Sequence, residues 1–240
     1  QLEVISTEKG EYLGARKTLA GQPTADLLPD LLKNFMLSIP FRKSMRWAAY
    51  DLRFARPVHW LLALYGGTTI PLTIEDIQSS NTSRGHRFMA PAAFEVSSFE
   101  EYLAKCRERF VIVDPSERKQ MILEQAQASA DDAGGRLFYS EELLDTVTYI
   151  VEYPVIVRGT FDADYLNIPK EVLTTTMISH QKYFPVVGSD DKLLPFFIAV
   201  SNTQPRDLSV VAKGNERVLA ARLSDARFFF EEDKKVPLEE

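Results

Sequence analysis

Cysteine occurs once in this 240-residue chain, at Cys106, and histidine three times, at His59, His86 and His180. A single thiol excludes an internal disulfide framework and a cysteine-cluster metal site. The histidines stand far apart in sequence and none belongs to a His-x-x-x-His pair, so no metal site is expected. Spacing this wide gives no hydrolytic triad either. Neither Gly-x-x-x-x-Gly-Lys nor Gly-x-Gly-x-x-Gly occurs, which removes the two familiar glycine-rich phosphate cradles. No catalytic residue and no cofactor are assigned to this chain. No apolar run approaches the length of a bilayer span, and no basic segment followed by an apolar stretch opens the sequence. The expected setting is a reducing cytoplasm, away from membranes.

Positive charge is also in short supply: 28 Lys and Arg against 34 Asp and Glu leave a net charge of −6. Such a chain does not coat itself in nucleic acid through bulk charge, so any RNA contact has to come from local clusters. What is present is ordinary for a globular protein. Hydrophobic residues make up 45% of the chain, enough for one large core or two modest ones.

Punctuation residues divide the sequence. Leu2, Val4 and Ile5, then Glu8-Lys9-Gly10-Glu11, then Tyr12-Leu13 predict a hairpin within residues 1–20. Thr24 is the expected cap of a helix with Leu27, Leu28, Leu31, Leu32 and Phe35 at helical spacing. A second hairpin is expected from Trp60–Tyr65 and Ile70–Ile74, with Gly66-Gly67 supplying positive φ at the turn. Ser97 or Ser98 caps a short helix with Phe99, Leu103 and Cys106 on one stripe, and Val111-Ile112-Val113 reads as a brief buried strand. Asp114, Pro115 and Glu117 open a long helix that stops at Gly134-Gly135. Ser140 opens another, with Leu144, Val147 and Val151 inward, before a strand at Val155-Ile156-Val157.

Helices and strands mix without a regular βαβ period or an internal repeat. That implies an α+β fold with mixed, mainly antiparallel sheets and packed helices. A division into subdomains 1–95 and 96–240 is expected near residues 92–98. The chain opens as if inside a strand and closes soon after a helix, as an excised piece of a longer protein would.

Four segments are dense in functional side chains. Arg84-Gly85-His86-Arg87 gathers positive charge around a glycine that permits close backbone approach, suiting phosphate recognition by Arg84, His86 and Arg87. Phe88 and Met89 beside them read as core anchors. Ser179-His180-Gln181-Lys182-Tyr183-Phe184-Pro185-Val186 reads as an extended arm, with a turn at Gly188–Asp191 and a return strand through Val200. His180, Gln181 and Lys182 suit phosphate or base contacts, and Tyr183 suits stacking on an unpaired base. The plainer alternative places Tyr183 and Phe184 in the core, with His180 and Gln181 bonded to backbone. Pro185 puts its strand at a sheet edge or at a non-pairing position.

The third segment runs from Gly214 to Lys235 and reads as a helix apolar on several faces. Leu219, Leu223, Ala226 and Phe230 form its core stripe, and Val218 and Phe229 a neighbouring one. A helix of that kind is expected to be enclosed, with Arg222 and Asp225 as a partly buried pair. Arg217 and Arg227 are its candidates for an RNA or protein partner. The fourth, Arg42-Lys43-Ser44-Met45-Arg46-Trp47, is basic, and Trp47 is either a stacking platform or core, core being the commoner place for tryptophan in such a run.

The 179–186 block, the run from Gly214-Asn215-Glu216-Arg217-Val218-Leu219 to Phe228-Phe229-Phe230, Arg56-Pro57-Val58-His59-Trp60 and Arg84–Met89 together resemble the β subunit of bacterial heterotetrameric glycyl-tRNA synthetase. Order and approximate spacing fit along essentially the whole chain. The resemblance implies a piece of that subunit, lying upstream of its later helical and anticodon-binding regions. The implied role is to help hold tRNA(Gly) and the α subunit together for ATP-dependent glycylation. The implied partners are the α subunit, tRNA(Gly) and the rest of the β subunit. ATP and Mg belong to the α subunit in that family, so this piece alone is expected to be inactive. Two alternatives stay open: an editing-like hydrolase module acting on mischarged tRNA, and a scaffold that touches only protein.

Overall fold

The alternating apolar run that opens the chain pairs with its successor across a two-residue turn. In a computed structural model that describes residues 2–15, 17 and 20–235, β1 (Leu2–Thr7) and β2 (Gly10–Ala15) form the expected hairpin, with Thr7 opposite Gly10. Gly10 has φ +125°, which only glycine adopts without strain. Helix α1 (Thr24–Ser38) follows Pro23 directly and has no side-chain cap, so Thr24 is its first residue and not its cap. Proline has no N–H to leave unsatisfied and its fixed φ suits a helix entrance.

Leu32 and Met36 of α1 lean on a small core of Leu61, Leu72 and Ile74. Leu27, Leu31 and Phe35 remain exposed. Five short strands follow: β3 (Leu61–Leu62), β4 (Leu64–Tyr65), β5 (Thr68–Thr69), β6 (Thr73–Ile74) and β7 (Ile77–Ser80). The expected second hairpin is confined to β4 and β5, where Gly66 and Gly67 both have positive φ. It is short because β3 pairs in parallel with β7 and β6 pairs antiparallel with β7. Among the basic residues near the start, Arg46 meets Asp51 at 3.4 Å, and Trp47 is only half-buried, edge-on to Tyr50.

The chain divides into two compact units, Gln1–Ser83 and Arg84–Glu240, with β8 (Thr82–Arg84) spanning the division. In the second unit, β9 (Ala93–Glu95) precedes α2 (Phe99–Glu108). Ser98 caps α2 by accepting from the N–H of Glu101. Glu101 reaches back to accept from the N–H and hydroxyl of Ser97, both at 2.7 Å, and meets Lys105 at 2.6 Å. Phe99, expected on the buried stripe, is exposed, while Cys106 is buried.

The Lys105 ammonium first, then the hydroxyl and N–H of Ser97, hold the Glu101 carboxyl down at about 2. A carboxylate depressed in the folded state stabilises it above the ordinary carboxylate range, and that contribution is lost as pH falls through the depressed value. Glu101→Gln should therefore lower the denaturation midpoint at pH 7, and the gap from the parent should close between pH 4.5 and about 2. A gap that stays constant in a pH series of urea melts would show that the carboxylate charge is not engaged.

Residues Val111–Val113 form no strand. The N–H of Ile112 donates to Glu152 O, and the Arg118 guanidinium takes the carbonyls of Ile112, Val113 and Thr148. Two of the carbonyls a second strand would have paired are taken by one side chain, while the N–H groups of Val111 and Ile112 go to the backbone of Cys106 and Glu152.

Helix α3 (Pro115–Asp131) has Asp114 as its cap and Pro115 at its first turn, and it ends where Gly134 turns with φ +74°. After β10 (Arg136–Leu137), Ser140 caps α4 (Glu141–Ile150) by accepting from the N–H of Leu143. Then come β11 (Val155–Thr160), a 3-10 turn at Ala163–Asn167, α5 (Lys170–Thr175), β12 (Phe184–Val187), β13 (Leu193–Ser201) and α6 (Leu208–Asp233).

The four strands order as β10-β12-β13-β11, and every pairing is antiparallel. Pro185 therefore sits in an interior strand and not at the edge, opposite Phe197 and beside a register shift between Pro185 and Val187.

Alternate side chains of the sheet feed two cores. Phe184, Val186 and Ile198 face Ile122, Ala126, Leu144 and Val147 of α3 and α4. Val157, Phe197 and Ala199 face Leu173, Met177, Leu219 and Leu223 on the α5 and α6 side. The result is a sheet with helices on both faces, within the expected α+β class. Among the described residues no helix is long and apolar enough to cross a membrane.

Candidate functional site

The 84–90 loop owes its shape to Gly85 and His86. A Cβ on Gly85 would lie 2.5 Å from the carbonyl oxygen of Ala90 and 2.6 Å from Arg109 Cβ. The glycine thus admits the protein's own chain, where the sequence suggested close approach to a ligand. The N–H of His86 donates to Arg109 O and its carbonyl accepts from the N–H of Ala90, both at 2.9 Å.

The His86 ring is 1% exposed, and its Nδ1 accepts from the N–H groups of both Phe88 and Met89 at 3.3 Å. An imidazole nitrogen that accepts leaves the ring proton on the other one, so the network assigns the proton to Nε2. Nε2 stands 3.9 Å from a Glu152 carboxylate oxygen, beyond hydrogen-bond reach, and has no hydrogen-bond partner among the described residues. His86 is thus an internal brace of the loop, out of reach of any phosphate.

Arg84 and Arg87 are both exposed, and neither makes an ion pair among the described residues. Met89 tucks in, its Sδ accepting from the N–H of Gln204 at 3.2 Å. Phe88 does not: it is 75% exposed, with the Arg87 guanidinium 5.8 Å from its ring centroid. Met89 is only half-buried and joins none of the core clusters, so the sequence reading of both as core anchors holds for neither. The backbone of Phe88 is committed to the His86 ring, which aims its side chain outward.

The second motif begins helical, not extended. A π-helical segment at Thr176–Gln181 continues α5 and ends at Lys182 in the left-handed region, φ 58° and ψ 32°. Lys182 Nζ folds back to Ser179 O at 3.2 Å, and the N–H of Tyr183 bonds to Met177 O. His180 is exposed, while Gln181 and Lys182 are half-buried. Tyr183 is 8% exposed and stacks on Phe197 at 4.7 Å between ring centroids. Burial pushes its phenol above the ordinary tyrosine range. It is core, and Phe184 with it.

On α6, Leu219 and Leu223 are fully buried, with Ala226 and Phe230 partly so, which is the expected stripe. The helix is longer than the sequence suggested, starting at Leu208 behind an Asp207 cap. It is not enclosed within the described residues: Val210, Val218, Phe228 and Phe229 are exposed. Arg222 and Asp225 are not buried together and make no ion pair among the described residues, so the expected buried pair does not form. The helix packs along one face only, and these residues lie away from it. Arg227 stacks over Tyr165 at 5.1 Å. Arg217 lines, with Lys213, Asp162, Thr160 and Glu216, an open depression of about 570 Å³.

No hydrogen bond, ion pair or ring contact among the described residues joins the 84–90 loop, the 180–183 turn and the arginines of α6. The candidates are therefore not bonded to one another directly. The loop is the most developed of them, with two exposed arginines that make no ion pair among the described residues, an exposed aromatic and a buried brace. Phe88 is the residue that sequence reasoning missed. Its neighbours carried the signal, since an aromatic between an arginine and a histidine-held turn lies on no apolar stripe.

The whole chain, residues 1–240, matches the family described as glycyl-tRNA synthetase beta subunit. It is 56% identical over 240 residues to a glycine–tRNA ligase beta subunit of Syntrophus aciditrophicus, covering 100% of this chain and 35% of that protein. The beta subunit of Geobacter sulfurreducens is 55% identical over 238 residues, with 99% and 35% covered. That of Geotalea daltonii is 54% identical over 238 residues, again with 99% and 35% covered. The chain thus spans about a third of the length of the curated relatives it matches. A match unbroken from the first hairpin through α6 leaves one conclusion: the chain belongs to the glycyl-tRNA synthetase β subunit family.

Proposed function

We propose that this chain supplies tRNA-contacting surface to a glycine–tRNA ligase, helping to hold tRNA(Gly) and the α subunit together for ATP-dependent glycylation. The observation that carries the reading is the 84–90 loop. Its Arg84 and Arg87 are exposed, free of acidic partners among the described residues, and held on a backbone that Gly85 and His86 fix from inside. Arginine in that state suits bidentate phosphate binding, because little rotational freedom of the backbone remains to be surrendered on binding. His180, Lys182, Arg217 and Arg227 are secondary candidates. ATP and Mg fall to the α subunit in this proposal, and no residue here is assigned to them.

Replacing Arg84 and Arg87 together with alanine in the assembled synthetase should weaken tRNA binding without lowering the melting temperature. The plot of log affinity against log salt should become shallower by roughly 0.7–0.9 for each phosphate that is no longer neutralised. A lowered melting temperature with affinity and salt slope unchanged would make the arginines structural. The editing alternative would instead show as hydrolysis of mischarged tRNA, and the protein-only scaffold as tRNA affinity indifferent to every basic patch.

A further inference from the structure

We infer that Phe88 is a stacking platform for one unpaired base of the bound RNA, set beside the two phosphate-binding arginines of its loop. The inference rests on the proposal that Arg84 and Arg87 meet tRNA, and it adds a second kind of interaction to theirs. Phe88 is 75% exposed on a loop whose neighbouring residues are tied down. An exposed phenylalanine on a mobile loop would carry no message, but this one is aimed. Its own N–H and that of Met89 both bond to the buried His86 ring, Met89 is held by Gln204, and Gly85 is wedged against Arg109 and Ala90. The ring therefore points outward while its backbone gives up its freedom before any ligand arrives.

Single-stranded nucleic acids are bound by this combination: cations along the backbone and an aromatic face for a base. The Arg87 guanidinium lies over the Phe88 ring, 5.8 Å from its centroid, leaving the other face for a base, and it can turn from the ring to a phosphate. A duplex buries its base faces against one another, so the site requires a nucleotide already unstacked, in a loop or at an end. A protein partner would also cover an exposed phenylalanine. The flanking cations, in a chain of net charge −6, favour a polyanion.

The experiment uses the assembled synthetase carrying Phe88→Ala, Phe88→Trp, or the double Arg84→Ala/Arg87→Ala change, titrated with tRNA(Gly) at several salt concentrations. Phe88→Ala should weaken binding by roughly 5- to 150-fold, the usual cost of removing one stacked base, with the salt slope unchanged. Phe88→Trp should retain affinity, and its indole fluorescence should fall on tRNA addition while a single-stranded polyphosphate without bases leaves it unchanged. If the arginine pair lowers affinity and salt slope but Phe88→Ala leaves affinity intact, the platform is wrong and the tRNA reading stands. If neither change alters affinity, both are wrong. If Phe88→Ala loosens subunit assembly in sedimentation while the assembled enzyme binds tRNA normally, the ring belongs to a protein interface and the inference is overturned.

Discussion

Phe197→Ala should cost the fold about 3–5 kcal/mol, the range for removing a fully buried phenylalanine. Phe197 is 0% exposed in the middle of β13, opposite Gly159 of β11. A Cβ on Gly159 would lie 2.3 Å from the tip of the Phe197 ring, so the ring occupies the space a side chain at 159 would need. Tyr183 lies against the same ring, nearly parallel at 16°. Alanine at 197 would leave a cavity bounded by a residue with no side chain to collapse into it. Tyr183 would be deprived of its stacking partner, and its raised phenol titration should move back toward the ordinary value as water enters. Urea denaturation and a spectrophotometric titration of the tyrosines would read both effects. An unchanged midpoint would show that the α5 and α6 side of the sheet is not the cooperative core described above.

Leu223→Ala should destabilise by roughly 2–5 kcal/mol, and further along the helix Phe229→Ala should change stability by less than about 1 kcal/mol. Both residues lie on α6, but Leu223 is 0% exposed among Leu219, Leu173 and Met177 whereas Phe229 is 63% exposed. The pair tests the orientation of the helix as well as its burial. Comparable losses from both would mean that the outer face of α6 is covered in the 240-residue chain. Neutral results from both would remove α6 from the core.

Where neighbours in sequence decide the structure, the reading from residues succeeded. Asp114 with Pro115, Ser140, Ser98 and the Gly134 stop all lie where their side chains or φ angles settle the matter within a few residues. The stripe of Leu219, Leu223, Ala226 and Phe230 was legible for the same reason, since helical spacing alone defines it. The failures share a cause as well. His86 looked like a ligand-binding group because it sits among arginines, and its burial depends on Arg109 and Glu152, brought up from elsewhere in the chain. Val111–Val113 has the composition of a strand, but the guanidinium of Arg118 took the carbonyls a neighbouring strand would have used. A helix with two apolar faces does not announce which one its own domain covers, and α6 covers one. At the candidate site the basic residues were legible from charge alone. The geometry that ranks them, a braced loop with an outward phenylalanine, was not.

The outer position of β11 in the sheet has a consequence for self-association. A free strand edge is a template on which any extended segment can add, and proteins that leave one open tend to aggregate. Here α6 supplies the guard. Glu216 takes the N–H of Thr160 at 2.8 Å and its hydroxyl at 3.0 Å, while Arg158 of the same strand reaches across to Ser129 O. An incoming strand would have to displace a carboxylate from the end of β11 and find a place for its charge. The helix that leaves one face open to solvent thus uses a residue nearer its packed side to keep the sheet from growing.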